Sequence, residues 1–135
     1  MHCQSPLAIK QDNRDLLSGA AITGETLWRL AWRRLTQFAQ LVDADPLPDP
    51  TPWREAAARL AVDARALRPH RLERTSQTQA GRTHPVTGLL GTIIVHGSAG
   101  DVQLLHRLLA AAAPLQIGKD TVFGCGRIEL DPIET

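Results

Sequence analysis

Near the C-terminal end, the ten residues Gly118 to Arg127 (GKDTVFGCGR) hold three glycines and two cations. Glycine accepts positive φ and lets the backbone come close to a ligand. Exposed amides in such a loop can cradle a phosphate, and Lys119 would add charge. The same composition also suits a tight turn before a final strand. Two phosphate motifs are excluded by what stands at their remaining positions. A Walker loop needs glycine where Ala113 stands and Ser or Thr where Asp120 stands, and a dinucleotide fingerprint needs glycine at Glu129.

A second group is the run Arg65, Arg68, His70, Arg71, Arg74 and Arg82, offset locally only by Asp63 and Glu73. Such a run is the footprint of a protein that follows a nucleic-acid backbone. It also fits a solvated edge strand kept charged against unwanted pairing. Arg29, Arg33 and Arg34 lie within one helical stretch and could follow RNA phosphates, or form its solvated back with Trp28 and Trp32 partly buried. The histidines are His2, His70, His84, His96 and His106. Metal-independent RNA cleavage needs a base to activate a 2′-hydroxyl, and imidazole titrates in the right range. His84, in a polar loop, and His70, within the arginine run, are the best placed. Lys119 or Arg82 would then stabilise the developing charge. His96 ends a strand, and His106 is expected to face solvent on a helix.

The elements that must position these groups follow from periodicity. Residues 2–9 read as a short strand bent at Pro6, and 10–23 as a loop. Thr23 is a helix N-cap. From it Leu27, Ala31, Leu35, Phe38 and Val42 give one apolar face to about Val42. Residues 43–52 hold four prolines and form a loop. A short accessory helix covers Trp53 to about Val62. Pro69 confines residues 64–76 to an irregular or edge strand, and 77–83 form a turn or loop. Residues 86–96 are the clearest strand, with Gly88 and Gly91 marking a bulge or a close backbone approach. Ser98 or Asp101 caps a helix that Pro114 ends, and 127–130 form a last strand. The order predicts an α+β, ferredoxin-like βαββαβ domain over 1–135, with two helices on one sheet face and the other face free.

Composition narrows the function less. At 135 residues the chain suits one domain with its own core. The net charge of +1 names no partner, although 13 of the 15 basic residues are Arg, the side chain suited to phosphate and to stacking. A GC-rich genome gives the same bias. Cys3 and Cys125 lack zinc-site spacing, so reduced buried thiols are expected and no metal or cofactor is implied. There is neither a membrane-spanning run nor a signal-peptide pattern, which points to a cytoplasmic protein.

Taken together, LERTSQTQAGRTHPVTGLLGTIIVHG, a helix, and then IGKDTVFGCGRIEL resemble the C-terminal RAMP domain of the CRISPR-associated precursor-crRNA endoribonucleases. Ile117 to Arg127 is similar to that family's glycine-rich signature loop, the most specific match. Residues 3–42 resemble the start of the same domain more loosely. The resemblance implies a ferredoxin-like (RAMP/RRM-like) fold and binding of CRISPR repeat RNA or crRNA. It also implies partnership with other CRISPR-associated subunits, a separate N-terminal-type domain, or a second copy as a homodimer. Gly118, Lys119, Gly124, Gly126 and Arg127 would shape the loop near RNA, with Arg68, Arg71, Arg74 and Arg82 close to its path; Arg29 and Arg33 are added to the RNA-binding set from the helix reading above. Family members usually carry two such domains, with the catalytic histidine in the first, and an aromatic near the position of Thr75. This chain resembles the second domain only. The alternatives are a non-catalytic structural RAMP subunit, whose free sheet face would be apolar, and an unrelated ferredoxin-like small-molecule sensor.

Overall fold

The computed structural model describes residues 1–73 and 85–133. In chain order the elements are β1 (His2–Leu7), the short strands β2 (Lys10–Gln11) and β3 (Arg14–Asp15), α1 (Gly24–Leu41), α2 (Thr51–Ala58), β4 (Ala61–Asp63), β5 (Arg68–Leu72), β6 (Val86–Thr92), β7 (Ile94–His96), α3 (Ala99–Ala112) and β8 (Ile128–Glu129). The main sheet has the order β5-β6-β1-β8, and every pairing in it is antiparallel. With α1 after its first strand and α3 after its third, this is the βαββαβ ferredoxin-like arrangement. The accessory helix is α2.

Alternation divides the sheet into two faces. Cys3, Leu7, Leu89 and Ile128 point to the helices and share a core with Leu27 and Ala31 of α1 and Leu105, Leu108 and Leu109 of α3. Val86 and Leu72, which pair across β6 and β5, belong to a smaller cluster with Ala8 and Cys125. Since Leu89 faces the helices, Val86 and Leu72 lie on the opposite face, and the glycine-rich segment covers them there.

Local chemistry accounts for the helix starts. Thr23 Oγ1 accepts from the Thr26 amide (3.2 Å), and Thr26 Oγ1 accepts from the Thr23 amide (3.1 Å), a reciprocal capping box. Ser98 Oγ accepts from the Asp101 amide (3.2 Å) at the start of α3. Along α1, Leu27 and Ala31 are buried, but Phe38 is 44% and Val42 51% exposed, because the end of the helix runs past the core.

Three segments differ from expectation. Residues 10–23 contain the hairpin β2–β3, turned by Asp12 (φ 50°) and Asn13 (φ 63°). Both are residue types that tolerate the left-handed region, in a two-residue hairpin turn without glycine. The accessory helix starts at Thr51 and stops at Ala58. Asp49 Oδ1 accepts from the Thr51 amide (3.0 Å) and hydroxyl (2.7 Å), and Pro52 is tolerated in the first turn. Ala61–Asp63 then pairs with Ile94–His96. The long strand expected over 86–96 is therefore two. Gly91 adopts φ 134°, and a side chain there would stand 2.7 Å from the Ala66 carbonyl oxygen. The chain turns just beyond it, so β6 stays in the main sheet while β7 joins β4. The edge position of β5, with Pro69 opposite Leu89, and the irregular register of β1 between Cys3 and Leu7 are as expected.

Among the described residues no helix is long and apolar enough to cross a membrane. Cys3 and Cys125 are both free and buried. Burial raises the Cys3 thiol from an ordinary 9.0 to about 11. The folded chain therefore holds this proton more tightly than the unfolded one. That contribution is full below pH 9 and is lost as pH rises towards 11. Between about pH 8 and 11, wild type should lose about 2 kcal/mol more stability than Cys3→Ala, measured by urea denaturation.

Candidate functional site

The glycine-rich segment after α3 is fixed at its base by close backbone contacts. The Ile117 amide donates to the Gly126 carbonyl (3.0 Å), the Gly126 amide to Pro6 (2.9 Å) and the Lys119 amide to Ala8 (2.9 Å). Gly118 has φ 83°, and a Cβ there would stand 2.5 Å from the Ala8 carbonyl oxygen. Gly126 also has φ 83°, and a side chain would overlap the Ile117 carbonyl. Gly124, at φ 89°, faces open space and is needed for its dihedral alone. The tip is one tight turn at Thr121–Phe123. There the amides of Phe123 and Cys125 donate to Asp120, and that of Gly124 to Thr121. Most of the amides expected to face a phosphate are thus used within the protein.

Two cations complete this loop from the side. Arg34 of α1 donates through Nη2 to the Gly118 carbonyl (2.9 Å) and to Thr121 Oγ1 (3.3 Å). Lys119 Nζ lies 2.7 Å from Asp15 Oδ1 and 3.7 Å from Asp120 Oδ2. The hydrogen bond to Asp15 holds the Lys119 ammonium above the ordinary lysine range. Between α1 and the loop opens a cleft of about 340 Å³, lined by Lys10, Leu30, Arg33, Arg34, Gln37 and Lys119. Arg34 and Lys119 are committed to the loop. Lys10 and Arg33 make no ion pair with any described residue, so they carry the cleft's uncompensated charge. Arg29, one turn before Arg33, lines a neighbouring hollow with Gln11 and Arg54. Arg54 itself pairs with Glu25 (3.2 Å) and lies over the Trp28 ring.

The arginine run is divided by its strand. Arg68 and His70 alternate with Leu72, so they share its sheet face, the face that Cys125 of the glycine-rich loop covers. Arg71 points the other way at the sheet edge and stands 3.9 Å from Glu73. Arg68 donates to the carbonyls of Arg65 (2.6 Å) and Leu67 (3.0 Å). Arg65 is bound to Asp63 through two side-chain hydrogen bonds, which lower the Asp63 carboxyl to about 2. Arg74, Arg82 and His84 lie outside the described residues. On the same open face, by register, Arg127 lies beside Gln4 and Glu129, whose side chains are hydrogen-bonded to each other. This face is polar at its exposed positions, contrary to what a structural subunit burying an apolar sheet would need.

The histidines also separate. His70 is exposed and makes no hydrogen bond to the described residues. His2 is more constrained: Nε2 lies 3.0 Å from each Asp131 carboxylate oxygen and Nδ1 3.1 Å from Thr92 Oγ1. His106 Nε2 lies 3.0 Å from the Asp131 carbonyl oxygen. No local pattern foretells the Asp131 contacts, which depend on the final segment returning past β1. Lys10, too, was unremarkable in sequence, and it reaches the cleft only because the β2–β3 hairpin carries it there.

Fold and site together define a ferredoxin-like domain with a cationic cleft beside a glycine-rich loop. A family model described as CRISPR-associated endoribonuclease Cas6 matches residues 1–128, so the chain belongs to the Cas6 family. Among solved structures, a Cas6 product complex shares the fold with a TM-score of 0.52 and 20% identity, covering 93% of this chain and 48% of that one. The chain therefore spans about half the length of that relative. No curated protein matches it.

The geometry separates the loop's two supports. Arg34→Met keeps the apolar stem and removes both hydrogen bonds. Native-state hydrogen exchange at Phe123, Gly124 and Cys125 should then speed up about tenfold, with little change in global unfolding. Gly126→Ala should instead cost more than about 1 kcal/mol in global stability, because the loop base cannot close around a methyl group.

Proposed function

We propose that this chain binds CRISPR repeat RNA and takes part in its processing to guide RNA. The observation that carries the reading is the pair Lys10 and Arg33, uncompensated across a cleft whose other cations are built into the loop. A strand with its phosphates along α1 would meet Arg33 and then Arg29, one turn apart. The open sheet face extends the charge through Arg68 and Arg127. The partners of this reading are a separate N-terminal-type domain, a second copy of the chain or further CRISPR-associated subunits.

Cleavage, where it occurs, follows the chemistry that RNA allows without a metal. The 2′-oxygen attacks the adjacent phosphorus and the bond to the 5′-oxygen breaks. The departing 5′-oxygen takes a proton from water, and a 2′,3′-cyclic phosphate and a 5′-hydroxyl remain. His70 or His84 takes the 2′-hydroxyl proton, and Arg82 stabilises charge on the phosphoryl oxygens, because Lys119 is already paired with Asp15 and Asp120. His70 is supported by its place on the sheet face that the glycine-rich loop covers.

The test is binding and cleavage of end-labelled repeat RNA in EDTA at two salt concentrations. Binding should weaken steeply with salt. Lys10→Gln and Arg33→Gln should each reduce the slope by about 0.7, one single-strand phosphate contact apiece. A discrete cut should survive EDTA and disappear in His70→Ala/His84→Ala. No binding at low salt would overturn the RNA reading, and a cut that persists without both histidines would overturn their assignment.

A further inference from the structure

We infer that the outer edge of β8 docks a second copy of this chain, the two β8 strands pairing antiparallel about a two-fold axis at Ile128. This surface does not depend on the RNA reading above, and it selects the second copy among the partners of that reading. The main sheet ends in two edges, β5 and β8. The β5 edge is blunted by Pro69 and by the charges of Arg68 and Arg71, the usual guards against strand addition. Arg127 to Leu130 hold neither proline nor lysine. Which backbone groups are free on this edge follows from the register. The Gln4 amide donates to the Arg127 carbonyl (2.8 Å), so the polar groups of Arg127 face β1. Alternation then turns the Ile128 N–H and C=O away from β1, to the open side. A hollow of about 540 Å³ beside this edge is lined by Ile128, Glu129 and Leu130 and, at the end of α3 and just beyond, by Ala110, Ala113 and Pro114. It leaves the room that a further strand needs.

Self-complementarity identifies the occupant. With Ile128 opposite Ile128 of the second copy, each donates its N–H to the other's C=O. Arg127 of one copy then stands opposite Glu129 of the other, and symmetry makes this pair twice. Side chains directly opposite one another on a sheet face interact, and opposite charges there are favourable. Both residues are exposed. Arg127 makes no ion pair with any described residue, and Glu129 has the neutral Gln4 amide as its hydrogen-bond partner. A two-fold axis perpendicular to the sheet leaves both helix layers on one side. The small side chains Ala110 and Ala113 then let the ends of the two α3 helices approach. An unrelated extended segment would satisfy the backbone groups, but it would need its own acid and base at the matching positions. This chain supplies both, and pairing joins two four-stranded sheets into one.

The test is sedimentation of the protein without RNA. Wild type should show a concentration-dependent equilibrium between monomer and dimer. Arg127→Glu sets Glu against Glu at both symmetric positions, and Glu129→Arg sets Arg against Arg. Each change alone should weaken self-association about tenfold. Mixed in equal amounts, the two variants should associate with each other as tightly as wild type does with itself, because each supplies the charge the other lacks. That result would also show that both variants are folded. Wild type that stays monomeric up to about 1 mM would overturn the docking edge. So would single variants that dimerise as wild type does, or a mixture that does not associate, since the contact would then lie elsewhere. Should either variant fail to fold, hydrogen exchange of wild type decides. The Ile128 amide should exchange more slowly as protein concentration rises, and a rate independent of concentration would overturn the pairing. None of these outcomes bears on the RNA reading, which stands or falls with the repeat-RNA assay.

Discussion

The glycine-rich segment can lie against the end of β1 only because two of its residues lack side chains. Gly118 faces the Ala8 carbonyl and Gly126 faces the Ile117 carbonyl at distances no Cβ could occupy, and both have positive φ. That docking brings Cys125 over Val86 and Ala8, gives the sheet a second small core on its open face, and places Lys119 beside Asp15. It also fixes the far wall of the cleft. Without it α1 would present a solvated arginine face, and Lys10 and Arg33 would have no wall opposite them.

The same docking divides the basic residues by task. Arg34 has a planar guanidinium whose Nη2 bonds a carbonyl and a hydroxyl on neighbouring turns of the loop, and it does so at the cost of being free for a ligand. Lys119 is likewise held, with its ammonium shared between two carboxylates. The residues that a motif-based reading places closest to phosphate are therefore the ones that build the wall. The charge left over belongs to Arg33, a turn of helix away from Arg29, and to Lys10 on the hairpin. A small net charge is compatible with this arrangement, because pairing removes the structural cations from the field and leaves the uncompensated ones together.

Much of the fold was legible because the signals were local. The capping threonine, the apolar positions Leu27 and Ala31 of α1, the edge position imposed by Pro69 and the order of elements along the chain all follow from neighbours in sequence. The misses share a different cause. Asp12 and Asn13 turn a hairpin without glycine. Gly91 reads as a bulge within one strand, but the Ala66 carbonyl beside it directs the chain into a second sheet. The site was less legible for the same reason. The arginine run reads as one basic surface, but strand alternation sends Arg68 and His70 to one face and Arg71 to the other, and Asp63 neutralises Arg65. The glycines were singled out for phosphate contact, but the amides they free are largely consumed by the loop's own bonds.

The consumed amides also bear on how such a loop recognises a ligand. A nest of free amides would bind any anion of the right size and would become ordered only on binding it. A loop whose hydrogen bonds are already satisfied gains nothing from reorganising. It contributes shape, and affinity must come from side chains on either side of it. Here those are cations within the cleft and apolar groups at the tip, two kinds of contact of which the first weakens steeply with salt. A polyanion alone could satisfy the first, and an apolar partner alone could satisfy the second. A single-stranded nucleic acid would satisfy both with the same strand, since its backbone supplies the charge and its bases the flat surfaces. Preformed geometry of this kind favours one ligand path over many.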